Sequence, residues 1–487
     1  MKTLIRKLIP KNIINLYHRF LATLAAIFYN FPSRKLYVIG VTGTTGKTTV
    51  CNLIGKVLEE AGFKVGIATT ANFKIANKEW INDTKQTMQG RFRLQKLLKK
   101  MVKEGCRYAV IETSSEGIAQ NRHLFIDYSC AVFTNLTPEH IESHGSFEKY
   151  KEAKAKLFKS LVNPKSQIPN PKQIQNSKFK IPNKKVIIAN LDDLYAEYFL
   201  GFEADEKWGY GANFQFPISN FQLNSKFQNL KIIKTKNIQI SPKGTKFFIN
   251  NQEFSLKLLG EFNVYNALAA ICAGRSQNVP MEKIKIALEK FRSMPGRMEK
   301  VEGGQDFLVF VDYAHEPAGL ESVYQTLKEI KKPQAKIISV LGSCGGGRDR
   351  AKRPTLGKLA AKYADYVIIT NEDPYDEDSM SIIEQVAFGV AKEKNREENK
   401  NFWRILDREE AIKKAILMAK KDDIVILTGK GSEQCIMGKS GKKIPWDERK
   451  VARKILEIHS LSDIKSGSSF HSEKPAATTN KIGSRNL

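Results

Sequence analysis

Six cysteines scattered through 487 residues include no C-x-x-C pair, which leaves out a structural zinc site and a disulfide framework and fits a reducing compartment. Acid is short relative to base, with 51 Asp+Glu against 79 Lys+Arg and a formal charge of +28. Such a surplus could mark nucleic acid or membrane as a partner. No run of Arg interleaved with aromatics, RNP-like pattern or zinc knuckle accompanies it, so nucleic acid is not expected. Lys spread over solvated faces accounts for the charge, and a basic chain also suits polyanionic substrates such as nucleotides. No cleavage site of small residues follows the apolar stretch Phe20 to Phe31, and that stretch is far short of the roughly 20 residues that span a bilayer. A buried helix is the expectation there, with a helix lying on a membrane surface as the alternative. The chain reads as cytoplasmic. Internal repeats are missing too.

What is present is an α/β alternation, 41% hydrophobic and long enough for two or three domains. Expected strands are Leu36 to Val41, Tyr108 to Glu112, Cys130 to Asn135 and Val186 to Asn190. Helical spacing of Val50, Leu53, Ile54, Val57 and Leu58 marks a helix after the first. Buried strands separated by helices predict a mainly parallel sheet covered on both faces. Residues 164–185, rich in Pro, Asn, Lys and Gln, read as an exposed insertion. Short alternating segments over 214–259 read as a small antiparallel sheet appended to the first. Helices are expected at Asn263 to Ala273 and Met281 to Phe291. After Pro295-Gly296 a second, Rossmann-like alternation is expected, with strands Phe307 to Asp312, Lys336 to Leu341, Tyr366 to Thr370 and Asp423 to Thr428. The divisions that follow are an N-terminal helical segment 1–36, an ATP-binding domain 37–294, a C-terminal domain 295–460 and a disordered tail 461–487.

The strongest local signal is Gly40-Val-Thr-Gly-Thr-Thr-Gly-Lys-Thr-Thr49, placed after a strand and opening a helix. Backbone N–H groups freed by Gly43 and Gly46 can cradle phosphate oxygens, with Thr44, Thr45 and Thr49 in the same turn. Lys47 would neutralise the outer phosphates and Thr48 would offer a hydroxyl to Mg²⁺. A Gly/Thr turn joining strand to helix is the plain alternative. Glu112 ends an apolar strand, where a carboxylate suits Mg²⁺ at the sheet's carboxyl edge; a solvated strand end is its alternative. His140 and His144 are four apart, but Pro138 and Gly145 argue for a loop, and such a pair is more often a hydrogen-bonding element than a metal site.

Together these residues resemble the Mur ligases, most of all the members that add the third residue of the peptidoglycan stem. The likeness runs in order from Leu36 to Leu456. Ile111-Glu-Thr-Ser-Ser-Glu-Gly-Ile-Ala-Gln-Asn-Arg122 is similar to the family's E-V-S-S-H-G-L-x-Q-x-R. It implies Glu112 on Mg²⁺ and Ser114, Gln120 and Arg122 on the UDP-sugar-peptide, with Glu116 standing where the family has His. Phe133-Thr-Asn-Leu-Thr-Pro-Glu-His140 implies Mg²⁺ or nucleotide contacts from Asn135 and His140. Tyr150-Lys-Glu-Ala-Lys-Ala-Lys-Leu-Phe158 resembles the segment of the family's carbamylated lysine, here Lys154. Gly260-Glu-Phe-Asn-Val-Tyr-Asn266 implies nucleotide contacts from Asn263 and Asn266. Gly296-Arg-Met-Glu299 and Asp312-Tyr-Ala-His315 imply Arg297 on the phosphates and Asp312 on the ribose.

Arg348 in Gly345-Gly-Gly-Arg-Asp-Arg350 falls where an arginine meets the incoming amino acid's carboxylate. Asn371-Glu-Asp373-Pro-Tyr375 stands where diaminopimelate-adding members have D-D-N-P-R, so Tyr375 replaces the arginine for the distal carboxylate. Gly429-Lys-Gly-Ser-Glu433 keeps the glutamate that suits a distal ammonium, which leaves lysine as open as diaminopimelate. Only about 35 residues precede the loop, where the family carries a UDP-binding domain; Leu21 to Leu36 resembles that domain's last helix.

The resemblance thus implies a monomeric, ADP-forming acid–amino-acid ligase using ATP, Mg²⁺ and a carbamylated lysine. Its substrates would be UDP-N-acetylmuramoyl-L-Ala-D-Glu and a diamino acid. Two other readings stay open. One is a superfamily ligase for another carboxylate, folylpolyglutamate-synthetase-like or acting on a lipid-linked muramyl group. The other is a nucleotide-binding scaffold that has lost catalysis.

Overall fold

The computed structural model describes residues 10–139, 141–162, 184–213, 227, 229–347 and 350–467. Helix α1 (Lys11–Phe28) leads to strand β1 (Tyr37–Thr42), whose six residues are all buried, and to helix α2 (Lys47–Glu60). Next come β2 (Val65–Ala68), β3 (Asn72–Ile75), β4 (Lys78–Ile81), α3 (Arg91–Lys103), β5 (Tyr108–Glu112), the short α4 (Ser115–Ala119), β6 (Tyr128–Phe133) and α5 (Phe147–Lys159). Strands β7 (Val186–Asn190), β8 (Glu206–Gly211), β9 (Leu230–Ser241), β10 (Gly244–Ile249) and β11 (Gln252–Leu256) complete an eleven-stranded sheet in the order β11-β10-β9-β8-β7-β6-β1-β5-β2-β3-β4.

The middle of this sheet, β9 through β2, is parallel, and antiparallel strands extend it at each end. Helices α2, α6 (Glu261–Ser276) and α7 (Met281–Lys290) cover one face around Val50, Ile54, Leu268 and Ile271. On the other face α3 and α5 bring Leu94, Leu98, Leu157 and Phe158. Helix α6 is buried on nearly every side because Ala, Gly and Cys let it lie close to its neighbours.

The second sheet runs β12-β13-β17-β14-β15-β16, from β12 (Glu299–Lys300), β13 (Leu308–Val311), β14 (Ile337–Leu341), β15 (Tyr366–Thr370), β16 (Phe402–Ile405) and β17 (Ile424–Leu427). All but β12 are parallel. Helices α8 (Pro317–Ile330), α9 (Lys352–Tyr363) and α10 (Ser379–Ala391) cover one face, and α11 (Arg408–Met418) and α12 (Glu448–Gly467) the other. A two-stranded pair, β18 (Cys435–Met437) with β19 (Lys443–Pro445), lies beyond β17.

Expected strands over 36–41, 108–112, 130–135, 186–190, 307–312, 336–341, 366–370 and 423–428 are all there, displaced at their ends by at most two residues. Strands β2 to β4, β8 and β16 went unread, because four- to six-residue segments such as Val65–Ala68 show no clear alternation. The segment expected to be an appended antiparallel sheet is continuous with the main one, since β9 pairs in parallel with β8 and antiparallel with β10. The insertion at 164–185 lies almost wholly outside the described residues, and α12 runs to Gly467, past the expected start of the tail.

The N-terminal helix corrects the reading of a buried segment. Only Ala22, Ala25 and Ala26 of α1 are buried, where small side chains let it approach α3, whereas Ile13, Leu16, Tyr17, Phe20, Ile27 and Phe28 are exposed. Among the described residues no helix is long and apolar enough to cross a membrane.

Candidate active site

The carboxyl ends of β1, β5 and β6 bring the phosphate-type loop, Glu112 and the Thr134-Asn135 turn to one edge, where open parallel sheets bind ligands. Gly46 caps α2 with φ +79°, and a Cβ there would stand 2.4 Å from Asn266 Oδ1. Only glycine meets both demands. Asn135 straps the loop: its Oδ1 accepts from the N–H groups of Thr44 (3.2 Å) and Thr45 (2.8 Å), and Thr134 Oγ1 donates to Thr45 O (2.7 Å). Asn266 in turn donates to Asn263 Oδ1 (2.9 Å), so both α6 asparagines reach the loop's flank. Thr44 Oγ1 meets the Tyr150 hydroxyl at 3.1 Å, and Thr49 is buried in the first turn of α2.

Two lysines converge on the same loop. Lys47 Nζ donates to Gly43 O (3.1 Å) and Thr44 O (2.7 Å), and Lys154 Nζ, on α5, donates to Gly43 O (2.6 Å). Burial pushes Lys47 below the ordinary lysine range although Glu112 and Glu139 oppose it. Lys154 falls well below that range, by burial and then by the charge of Lys47. Thr48 Oγ1 donates to Glu112 Oε2 (2.8 Å), which also accepts from Thr70 N (2.7 Å). A hydroxyl and a buried carboxylate side by side are hard oxygen donors of the kind Mg²⁺ takes.

Glu139 was passed over in the sequence, where the neighbouring histidine drew the attention. Its carboxyl is buried, has one oxygen without a partner among the described residues, and is raised to about 7 by burial and by Glu316, against the pull of Lys47 and Lys154. A carboxylate two residues after Thr137 in the Asn135 turn was the available signal. His140 lies outside the described residues; His144 Nε2 meets Ser115 Oγ at 3.2 Å.

Ser114 caps α4 by accepting from Gly117 N (3.2 Å). Gln120 Oε1 accepts from Arg122 (2.8 Å), and Arg122 also donates to Met88 O, gathering these residues against the loop before α3. Arg297, from the segment joining the two sheets, donates to Thr48 Oγ1 (3.2 Å) and lies over the Tyr313 ring. Asp312 accepts from the main-chain N–H groups of Met298 (2.7 Å) and Ala314 (2.6 Å), so both of its oxygens shape that joint; burial raises its pKa and Arg297 opposes the rise.

A second charged cluster forms where the two halves meet. Asp373 Oδ1 accepts from Lys430 Nζ (2.8 Å), Glu433 Oε2 accepts from the same ammonium (2.7 Å), and Lys85 closes on both, at 2.6 Å from Asp373 and 3.0 Å from Glu433. Lys85 comes from the loop between β4 and α3, so it crosses from one sheet's half of the molecule to the other's. No motif announced it. Burial alone would lower Lys430, but Glu433 and Asp373 more than offset this and hold it above the lysine range. Gly429 has φ +100°, and a Cβ there would meet Glu372 Oε2 at 2.3 Å. Tyr375, at φ +53°, lays its ring against Gly346 and donates its N–H to Met437 O (3.0 Å). Arg348 is outside the described residues.

Comparison with known proteins agrees with this geometry. The family described as Mur ligase middle domain matches residues 41–274, and that described as Mur ligase, glutamate ligase domain, matches 296–431. The chain is 36% identical over 442 residues to UDP-N-acetylmuramyl-tripeptide synthetase of Roseiflexus sp., covering 90% of this chain and 81% of that one. It is 35% identical over 453 residues to UDP-N-acetylmuramoyl-L-alanyl-D-glutamate--2,6-diaminopimelate ligase of Bacillus cereus, covering 92% and 84%. A solved structure of a diaminopimelate ligase of that name superposes with a TM-score of 0.53 at 28% identity, over 87% of this chain and 79% of that one. A phosphate-type loop, a buried lysine facing it and a buried cluster of Asp373, Glu433 and Lys430 thus lie on a chain that belongs to the Mur ligases, the ATP-dependent enzymes that form amide bonds.

Proposed function

We propose that this ligase joins a diamino acid, diaminopimelate or L-lysine, to the D-glutamyl carboxylate of UDP-N-acetylmuramoyl-L-Ala-D-Glu in peptidoglycan precursor synthesis. The observation that carries the proposal is the presence of two unlike clusters, one on each half of the molecule. Lys47, Thr48, Glu112 and Lys154 surround the loop, and Asp373 and Glu433, which also pair with Lys430, already hold the Lys85 ammonium. The names of the relatives support the choice of substrates.

The substrate carboxylate attacks the terminal phosphorus of ATP, ADP leaves, and an acyl-phosphate forms. The amine then adds to the acyl carbon, and the tetrahedral intermediate expels phosphate to leave the amide and a proton. Loop N–H groups and Lys47 hold the phosphates in line, since phosphoryl transfer depends on position and charge. Arg297, touching Thr48 from the joint, links closure of the two halves to the filled loop. Thr48 and Glu112 would hold Mg²⁺, which supplies charge neutralisation at the phosphates. Burial, and then the charge of Lys47, shifts the Lys154 amine toward its neutral form, the form that adds CO₂ to give a carbamate anion and release a proton. That anion would join the Mg²⁺ ligands. Ser114, Gln120 and Arg122 hold the muramyl peptide, and the amino acid's distal ammonium takes the place of Lys85 between Asp373 and Glu433.

Phosphate release measured with UDP-N-acetylmuramoyl-dipeptide, ATP and a panel of amino acids tests the reading. Stimulation by diaminopimelate or lysine is expected; equal rates with every amino acid, or none, would sink it.

A further inference from the structure

The outward face of α1 has no role in the ligase site, and it inverts the usual order of a surface helix. Its small residues are buried and its large apolar ones face solvent, from 40% exposed at Leu24 to 74% at Phe28. Ile13, Leu16, Phe20, Leu24 and Ile27 recur at steps of three and four, so they form one stripe along the helix. Contiguous apolar surface of this kind marks an interaction site.

Charge identifies the partner. The Phe28 and Phe92 rings lie 6.4 Å apart, so the stripe continues onto α3. Phe92, Lys96, Lys99 and Lys103, spaced four, three and four, share that exposed face of α3. Neither α1 nor α3 contains an acid, and the sequence has no Asp or Glu before Glu59. Acids at the margin are Glu104, just past α3, and Asp83, which pairs with Arg93. A second copy would bring a like-charged row of lysines to this face, with no acid on either helix to meet it. An apolar stripe beside a row of lysines fits a surface that is apolar below and anionic above.

We propose that α1, with the lysine face of α3, seats this protein on an anionic lipid bilayer, lying in the interface rather than crossing it. The proposal stands apart from the ligase reading, because none of the stripe or lysine residues is among those assigned to nucleotide, metal or substrate.

Flotation of the full chain with vesicles tests it. Binding to phosphatidylglycerol–phosphatidylethanolamine vesicles is expected, and much weaker binding to phosphatidylcholine alone. The double substitution Leu16→Glu, Phe20→Glu should lower partitioning by about tenfold or more, because carboxylates are placed in the apolar stripe. Lys96→Glu with Lys99→Glu should remove the preference for anionic lipid and the sensitivity to salt. Circular dichroism and thermal unfolding matching wild type confirm that the variants are folded. Failure of the wild-type chain to float, or flotation untouched by Leu16→Glu, Phe20→Glu, would overturn the proposal. So would a wild-type dimer that these substitutions dissociate, since that assigns the stripe to a second copy.

Discussion

Buried bases behave in opposite ways in the two halves of the molecule. In the half built on the eleven-stranded sheet, Lys47, Lys154 and His123 are all shifted toward their neutral forms, chiefly by burial. In the other half, Lys430 and Arg408 are just as buried yet hold their protons more tightly than usual, because Glu433 with Asp373 and Glu448 pair them. Among the described residues, Lys47 and Lys154 donate only to main-chain carbonyls of the loop. One half therefore holds bases that lean toward neutrality until an anion such as a phosphate arrives, and the other neutralises itself internally. That division suits a site which takes a polyphosphate on one side and a zwitterion on the other.

Lys47→Ala should break the first side outright. The loop loses its lysine where charge develops, and kcat for ADP formation should fall by about 10³-fold. A variant keeping more than a tenth of wild-type turnover would remove Lys47 from the chemistry. Lys154→Ala should cost about 10²-fold, since the anion proposed on that nitrogen is lost. The wild-type protein should show a ¹³C carbamate resonance after exposure to labelled bicarbonate, and the variant should not. Full activity in CO₂-depleted buffer would argue that Lys154 acts as a plain amine.

His123 sharpens the contrast without touching the reaction. It is buried, its Nδ1 has no partner among the described residues, and burial with the charge of Lys156 lowers it to about 4 from 6.5. The unfolded chain thus takes up this proton at 6.5 and the folded one only near 4. The associated stability is complete above pH 6.5 and is lost as pH falls through that window, by roughly 3 kcal/mol. In urea unfolding, His123→Gln should show a correspondingly smaller loss between pH 6.5 and 4. Parallel losses in both proteins would mean that His123 is protonated when folded.

Legibility follows the same division. The loop and Glu112 sit in contiguous strings whose chemistry is local, a glycine turn before a helix and a carboxylate closing a strand, whereas Lys154 was picked out among neighbouring lysines only by resemblance. The core strands were readable because parallel strands covered on both faces are apolar up to their carboxyl ends, as 108–111 and 186–189 are. Glu139 was missed because nothing in Thr137-Pro-Glu139 states that this carboxylate is buried. Helix α1 misled because an apolar stretch gives composition but not orientation, and its alanines rather than its phenylalanines face inward. Asn135 and Asp312 were assigned to ligand by resemblance, and the hydrogen bonds show each also holding main chain in place.

Lys85 is the case that sequence could not reach, and it carries the smallest predicted effect. It belongs to a loop 288 residues away from Asp373, so only the folded chain joins them. With Lys85 in place the cluster has two ammoniums and two carboxylates, and an arriving ammonium must displace one already bound. Lys430 is fully buried and stays, which makes Lys85 the group that leaves. Lys85→Ala then leaves one uncompensated carboxylate, and the KM for L-lysine should fall by about tenfold, the scale of one close charge pair. Diaminopimelate should gain less, because its distal end brings a carboxylate along with its ammonium. A rise in KM for diaminopimelate alone would show that Lys85 grips that distal carboxylate. It would then give the second side a base that awaits an anion, which has so far distinguished the first.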